Sequence, residues 1–168
     1  MEIADGDEAP VCAYCKQVYA PAEDLEGVRV LGEASQLACP VCAIALVKSV
    51  MAHHRILYCT QCHGSLVSMN ELGPLVDDLR AGRHAPDGIP SRPDPRELQR
   101  HLECPKCHQR MDTHYYAGPG NIVIDDCSRC ELDWLDAGEL RSIARAPDHS
   151  YSRDSLDISD YREDWKPS

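Results

Sequence analysis

The chain carries ten cysteines, and all ten fall in pairs with two residues between them: Cys12/Cys15, Cys39/Cys42, Cys59/Cys62, Cys104/Cys107 and Cys127/Cys130. Two chemistries use that spacing. A solitary C-x-x-C is a redox dithiol, because one thiol's ionisation is helped by its neighbour and the pair can close on itself. Repeated C-x-x-C pairs are metal knuckles, because a tight turn with two intervening residues lets both sulfurs face one ion. Four pairs with matching flanks favour metal, with zinc ahead of a rubredoxin-like iron or an iron–sulfur cluster; tetrahedral sulfur suits all of these.

An internal repeat sets the pairing. Cys39 and Cys104 are 65 residues apart, Cys59 and Cys127 are 68 apart, and the first arms CPVCAIAL and CPKCHQRM each place an apolar residue, Leu46 or Met111, seven after the first cysteine. The expected sites are therefore Cys39, Cys42, Cys59 and Cys62 in one copy and Cys104, Cys107, Cys127 and Cys130 in the other. Four thiolates leave a tetrahedral ion no open position, which is the structural kind of zinc site. Cys12/Cys15 has no matching pair and stands as an extra half-site: half a degenerate ribbon, a ligand pair completed by histidines around a third zinc, or ligands for a partner's ion. His53, His54 and His63 are its nearest candidates, against the plainer reading of surface histidines in turns.

Each pair of arms needs a hairpin between them. Residues 113–124, THYYAGPGNIVI, place β-branched and aromatic runs on either side of Gly118, Pro119 and Gly120. The first copy has a shorter version, Val47–Met51 and Ile56–Tyr58, turning near His53 and His54. The three extra residues of the second copy lengthen a hairpin tip, where insertion is tolerated. After the second arms, Ser68/Glu71 and Asp136/Glu139 have capping-box spacing. Leu72, Leu75, Val76 and Leu79 then follow at helical intervals up to Gly82, as do Leu140, Ile143 and Ala144 before Pro147. Leu66 and Trp134 align in the repeat and are expected to plug the space between knuckle and helix. The same capping role accounts for Asp136 and Glu139 better than acid–base catalysis does.

The expected fold is a small metal-stabilised α+β protein of two units, each knuckle, β-hairpin, knuckle and short helix, with disordered or irregular termini. Residues 1–36 form an acidic segment with the extra C-x-x-C, 37–80 the first unit, 81–99 a proline-rich linker that leaves the units free of each other, 100–146 the second unit, and 147–168 a polar acidic tail. With no Phe, two Trp and seven Tyr, there is little bulk for a core. Pieces below about 40 residues rarely fold without disulfides, metals or partners. Metal is the expected main stabiliser.

Net charge is −11 and sits at the ends: −6 over residues 1–38 and −3 over 146–168, against 0 over 39–80 and −2 over 100–145. Each ion held by four thiolates adds a further formal −2. Phosphate binding needs clustered Lys and Arg, so the field opposes nucleic acid. The opening MEIADGDEAP is acidic without an apolar core, and the most apolar run, Leu37–Ala52, is broken by Lys48. Neither a secretory signal nor a membrane span is expected, and a reducing cytoplasm that keeps thiols free for metal is.

The stretch CPKCHQRMDTHYYAGPGNIVIDDCSRCELDWLDAGEL, residues 104–140, resembles the transcription-factor-IIB-type zinc-finger family, a zinc ribbon whose pattern runs CPxC, an apolar residue, a hairpin, CxxC and WLDxGEL. Residues 39–72 resemble it more loosely, with CPVC, CHG and NEL but Leu66 in the Trp position. The family has a Gly in the second knuckle; Gly64 keeps it in the first copy, whereas Glu131 and Leu132 stand there in the second. The resemblance implies zinc and a ribbon fold. The function expected is a non-catalytic, zinc-binding protein-interaction or adaptor module with a protein partner. Its alternatives are a nucleic-acid or transcription-machinery-associated ribbon and a thiol or zinc sensor built on Cys12/Cys15.

Overall fold

A computed structural model describes residues 22–82, 96–116 and 122–146. Among these residues, seven strands and two helices follow one another as β1 (Arg29–Ala38), β2 (Ala45–Met51), β3 (His54–Tyr58), β4 (Ser65–Ser68), α1 (Met69–Ala81), β5 (Asp112–Tyr115), β6 (Val123–Cys127), β7 (Leu132–Leu135) and α2 (Glu139–Arg145). A single turn of 3-10 helix, Glu97–Gln99, precedes β5. Both expected hairpins form, β2–β3 and β5–β6, as do both helices with their expected inner faces: Leu72, Leu75 and Val76 on α1, and Leu140, Ile143 and Ala144 on α2.

The two copies are joined in one sheet of order β1-β2-β3-β4-β7-β6-β5. This corrects the expectation of units left free by the linker. The join is antiparallel pairing of β4 with β7, in register Ser65↔Leu135, Leu66↔Trp134, Val67↔Asp133 and Ser68↔Leu132. Adding the repeat interval of 68 to Leu66 gives Trp134, so residues at the same place in the two copies pair with each other. Ser65↔Leu135 and Val67↔Asp133 exchange under the same operation. The copies are therefore related by a two-fold pseudo-axis passing between Leu66 and Trp134, the self-complementary arrangement of a symmetric dimer written into one chain.

The sheet separates two cores because successive side chains point to opposite faces. On one face α1 and α2 cover Met51, Ile56, Tyr58, Val67, Ile124 and Leu135. On the other, Leu46, Leu66, Met111 and Trp134 pack among the cysteines. Leu46 and Met111, the apolar residues expected seven after each first cysteine, are both fully buried. Leu66 and Trp134 are also buried, but they plug the junction between the copies on the cysteine side of the sheet, rather than a gap between knuckle and helix.

Two further local differences have physical causes. Residues 29–38, all but the last two of them inside the segment 1–36 expected to be irregular, form strand β1 on the edge of β2. The pattern RVLGEASQLA hides it, because Gly32 holds φ 87° and the register shifts on either side of Ala34. Such bulges break the alternation from which strands are recognised, and they blunt an edge against pairing with another chain. Neither helix has the full capping box: Ser68 and Gly138 are the N-caps, and neither makes a side-chain cap hydrogen bond. In the second copy only the reach-back half forms, with Glu139 Oε2 accepting from the Asp136 N–H at 2.6 Å. In the first, Glu71 turns instead to His54.

Candidate metal centres

The eight cysteines expected as ligands meet in two groups, Cys39/Cys42/Cys59/Cys62 and Cys104/Cys107/Cys127/Cys130, with all sulfurs in each group within 4.8 Å of one another. Among the described residues these are the two places where three or more His, Cys, Asp or Glu side chains converge so closely. All eight thiols are free. Cys39 Sγ lies 3.6 Å from Cys62 Sγ, and Cys107 Sγ 3.7 Å from Cys127 Sγ. A disulfide would hold sulfurs at about 2.05 Å. Tetrahedral zinc, with Zn–S near 2.3 Å, places its sulfurs about 3.8 Å apart. The spacing therefore fits four sulfurs around one ion.

Three of the knuckles are closed by the same backbone bonds. The first cysteine's N–H donates to the carbonyl five residues on, in Cys39 to Ile44 at 2.7 Å, Cys59 to Gly64 at 2.9 Å and Cys104 to Gln109 at 2.8 Å. Its carbonyl accepts from the residue after the second cysteine, Ala43, His63 or His108. In the fourth, the equivalent residues Cys127 and Leu132 are partners in the β6–β7 ladder. Backbone N–H groups also face sulfur: those of Val41 and Cys42 point at Cys39 Sγ, and that of Cys62 at Cys59 Sγ. These bonds favour the thiolate.

In all four described knuckles the residue after the second cysteine is left-handed: Ala43 at φ 58°, His63 at 61°, His108 at 56° and Glu131 at 56°. This relocates the glycine question. Gly64 is not the knuckle's left-handed residue, and Glu131 in the second copy shares its conformation with Ala43, His63 and His108.

Packed together, the four thiols of a site split apart in proton affinity, some raised and some lowered. Burial, and then hydrogen bonding to Cys107, Cys104 and Cys127, pushes the Cys130 thiol up to about 12. The Gln109 N–H holds Cys107 down at about 7. A divalent cation overrides this split by pairing with all four charges at once, which is why such donor sets bind metal tightly and release protons as they do so.

The WLDAGEL stretch braces the second centre. Trp134 is completely buried, and its indole N–H donates to Asp136 Oδ1 at 3.0 Å, as a buried indole requires. The other carboxylate oxygen of Asp136 accepts from Arg100. The same guanidinium reaches Asp125, a completely buried carboxylate that also accepts from Thr113 Oγ1 at 2.5 Å. Asp136 and Glu139 are thus occupied in holding Trp134, Arg100 and the helix start. The Arg100–Asp125–Asp136 network escapes sequence reading, since Arg100 borders a proline-rich stretch and its partners lie 25 and 36 residues away.

Two of the three histidines weighed as extra ligands have other partners. His54 lies between Glu71 and Asp78, and His63 Nδ1 is 2.7 Å from the Tyr58 hydroxyl, which donates to Asp24 at 2.6 Å. His53 sits in the hairpin turn. Cys12 and Cys15 lie outside the described residues. No helix among the described residues is long and apolar enough to cross a membrane.

Comparison with known proteins agrees with this geometry. Residues 103–146 match the family model for the transcription-factor-IIB-type zinc ribbon, described as a transcription factor zinc-finger. No curated protein and no solved structure matches the chain. Residues 103–146 are thus matched as a transcription-factor-IIB-type zinc ribbon, and the second four-cysteine cluster, Cys39, Cys42, Cys59 and Cys62, supports a second copy of the same build.

Proposed function

We propose that this chain is a non-catalytic, cytoplasmic protein-interaction module whose two ribbons are each held by one zinc ion. The observation that carries the reading is the pair of closed four-cysteine sets on a single sheet. Four sulfurs saturate a tetrahedral ion and leave no position at which it could activate water or polarise a substrate. Zinc then acts as a fastener, contributing about 10–16 kcal/mol of folding free energy in sites of this kind. What the fastener secures is a rigid two-sided platform, with acidic segments on either side of it in the sequence.

Native mass spectrometry with elemental analysis tests the metal: two zinc ions per chain are expected, and three if Cys12/Cys15 finds further ligands. Iron in place of zinc would replace that part of the reading. Complete chelation is expected to abolish cooperative melting and collapse the NMR dispersion. A protein that keeps both without metal would overturn the fastener role. For the partner, capture from native lysate by the zinc-loaded chain, with and without residues 146–168, is expected to retain protein that the chelated chain does not.

A second reading, association with the transcription machinery through nucleic acid, is favoured by the description of the matching family. The charge of the chain opposes it, because a net −11 repels the phosphate backbone. Tight duplex or single-strand binding at low salt that weakens steeply as salt rises would establish it over the adaptor role.

A further inference from the structure

His54 opens β3 directly after a two-residue turn in which Ala52 and His53 both hold positive φ, 45° and 71°, the type I′ geometry that suits tight hairpins. Its side chain is 13% exposed and lies against α1. Nδ1 is 2.8 Å from Glu71 Oε2, and Nε2 is 2.9 Å from Asp78 Oδ2. Glu71 is in the first turn of α1, and Asp78 lies seven residues, or two turns, further along the same face. The ring therefore bridges two side chains that reach to it from two turns apart on the helix, one nitrogen on each carboxylate.

A neutral imidazole has one N–H and one lone pair, so it can donate to only one of these carboxylates; at the other, lone pair would meet lone pair. Only the imidazolium donates at both nitrogens. The charged groups facing the ring from α1 are Glu71 and Asp78. β2 opposes it with the apolar Met51, and Arg55, next along β3, belongs to the other face of the sheet.

We propose that His54 is a proton-operated latch between the β2–β3 hairpin and α1: protonated, it ties the hairpin tip to both ends of the helix, and on losing its proton one of the two ties becomes repulsive. Hydrogen bonds to Glu71 and then Asp78 hold the imidazole above its ordinary value, outweighing burial, which lowers it. A raised histidine contributes stability that is complete below the unfolded value of about 6.5 and is lost as pH rises through the folded one. The latch thus opens upward in pH. The zinc sites respond in the opposite sense, since thiolates release metal as pH falls, so the two responses separate in one experiment.

The test uses the full zinc-loaded chain, with NMR titration of the His54 ring from pH 6 to 9 and hydrogen-exchange protection factors for β2, β3 and α1. The expected midpoint lies above about 6.5, with both ring nitrogens protonated below it, and E71Q/D78N lowers it by about one unit. Protection of the hairpin tip and of α1 is expected to fall about tenfold above the midpoint in the natural chain and to stay level in His54→Gln. A midpoint at or below about 6.5, or one unmoved by E71Q/D78N, overturns the proposal. So does protection that falls equally in His54→Gln. The ring titration of the unaltered chain is decisive even if a variant folds poorly.

Discussion

Trp134 fills the space where a side chain on Gly64 would go: a Cβ at residue 64 would stand 2.3 Å from Cζ2 and 2.7 Å from Cη2 of the indole. The repeat explains why. Gly64 corresponds to Leu132 in the second copy and Trp134 to Leu66 in the first, so across the pseudo-axis one contact is Trp on Gly and its mate joins two leucine positions. One large and one small residue stand in one contact where two leucines stand in the other, the way close-packed cores keep total volume while changing shape.

That exchange is measurable. Gly64→Ala is expected to destabilise the zinc-loaded protein by about 1–3 kcal/mol, because the buried indole has nowhere to move without strain. In a Trp134→Leu background the same change should be milder by at least about 1 kcal/mol, as expected for residues in contact. Urea unfolding of the four proteins of the cycle gives the coupling. Simple additivity would show that the two side chains do not share this space.

The knuckles give a second prediction. A non-glycine residue in the left-handed region carries a penalty of about 1–2 kcal/mol, and Ala43, in the first knuckle, is in it. Glycine removes that penalty but makes the unfolded chain more flexible, at about 0.4–1 kcal/mol. Ala43→Gly is therefore expected to stabilise by about 0.5–1 kcal/mol, read as an upward shift in the urea midpoint with zinc stoichiometry unchanged. A lower midpoint would mean that the conformation at Ala43 is held without strain.

The grouping of eight cysteines into two clusters, the hairpins and the helix faces were legible because each has a short-range signature: fixed cysteine spacing, β-branched runs around Gly118–Gly120, and leucines at helical intervals. What escaped depends on contacts distant in sequence. The role of Gly64 cannot be read from its neighbours, because its reason is an indole 70 residues away in the chain. The joining of the copies was hidden because β4 and β7 are four residues each, too short for alternation to mark them, and their pairing is specified by the repeat symmetry. The capping-box spacing of Ser68/Glu71 and Asp136/Glu139 is not realised as a box, since Gly138 takes the N-cap of α2, Asp136 is drawn to Trp134 and Arg100, and Glu71 turns to His54.

Arg100 is the counter-charge of a carboxylate with no exposure at all, Asp125. Removing one partner of a buried pair leaves the other uncompensated, at about 3–5 kcal/mol. Arg100→Met is expected to destabilise by that order, less what Thr113 retains through its hydrogen bond to Asp125. Adding Asp125→Asn should recover part of the loss, because the stranded charge is gone. Denaturation of the single and double variants checks this, and a double variant no better than Arg100→Met alone would show that the network acts through shape and not charge.

Glu139 supplies the pH dependence opposite in kind to a salt-bridged acid. Burial raises its carboxyl to about 8, even though it accepts the Asp136 N–H and lies in the field of Arg100. A carboxyl whose folded value lies above its unfolded one, about 4.3, favours the folded state when protonated. Its stabilising contribution is complete below about 4.3 and is lost as pH rises toward 8, where the folded protein must ionise a buried acid. Glu139→Gln keeps the acceptor for the Asp136 N–H and has no proton to lose. The variant is therefore expected to gain on the natural chain as pH rises from 6.5 to 8.5, with the difference flattening above about 8. Because both proteins hold the same cysteines, the zinc sites' own pH response cancels in the comparison of urea midpoints. Midpoints that run parallel across that range would mean that the carboxylate of Glu139 is already ionised at pH 6.5 in the folded chain, with Arg100 and the Asp136 amide outweighing its burial.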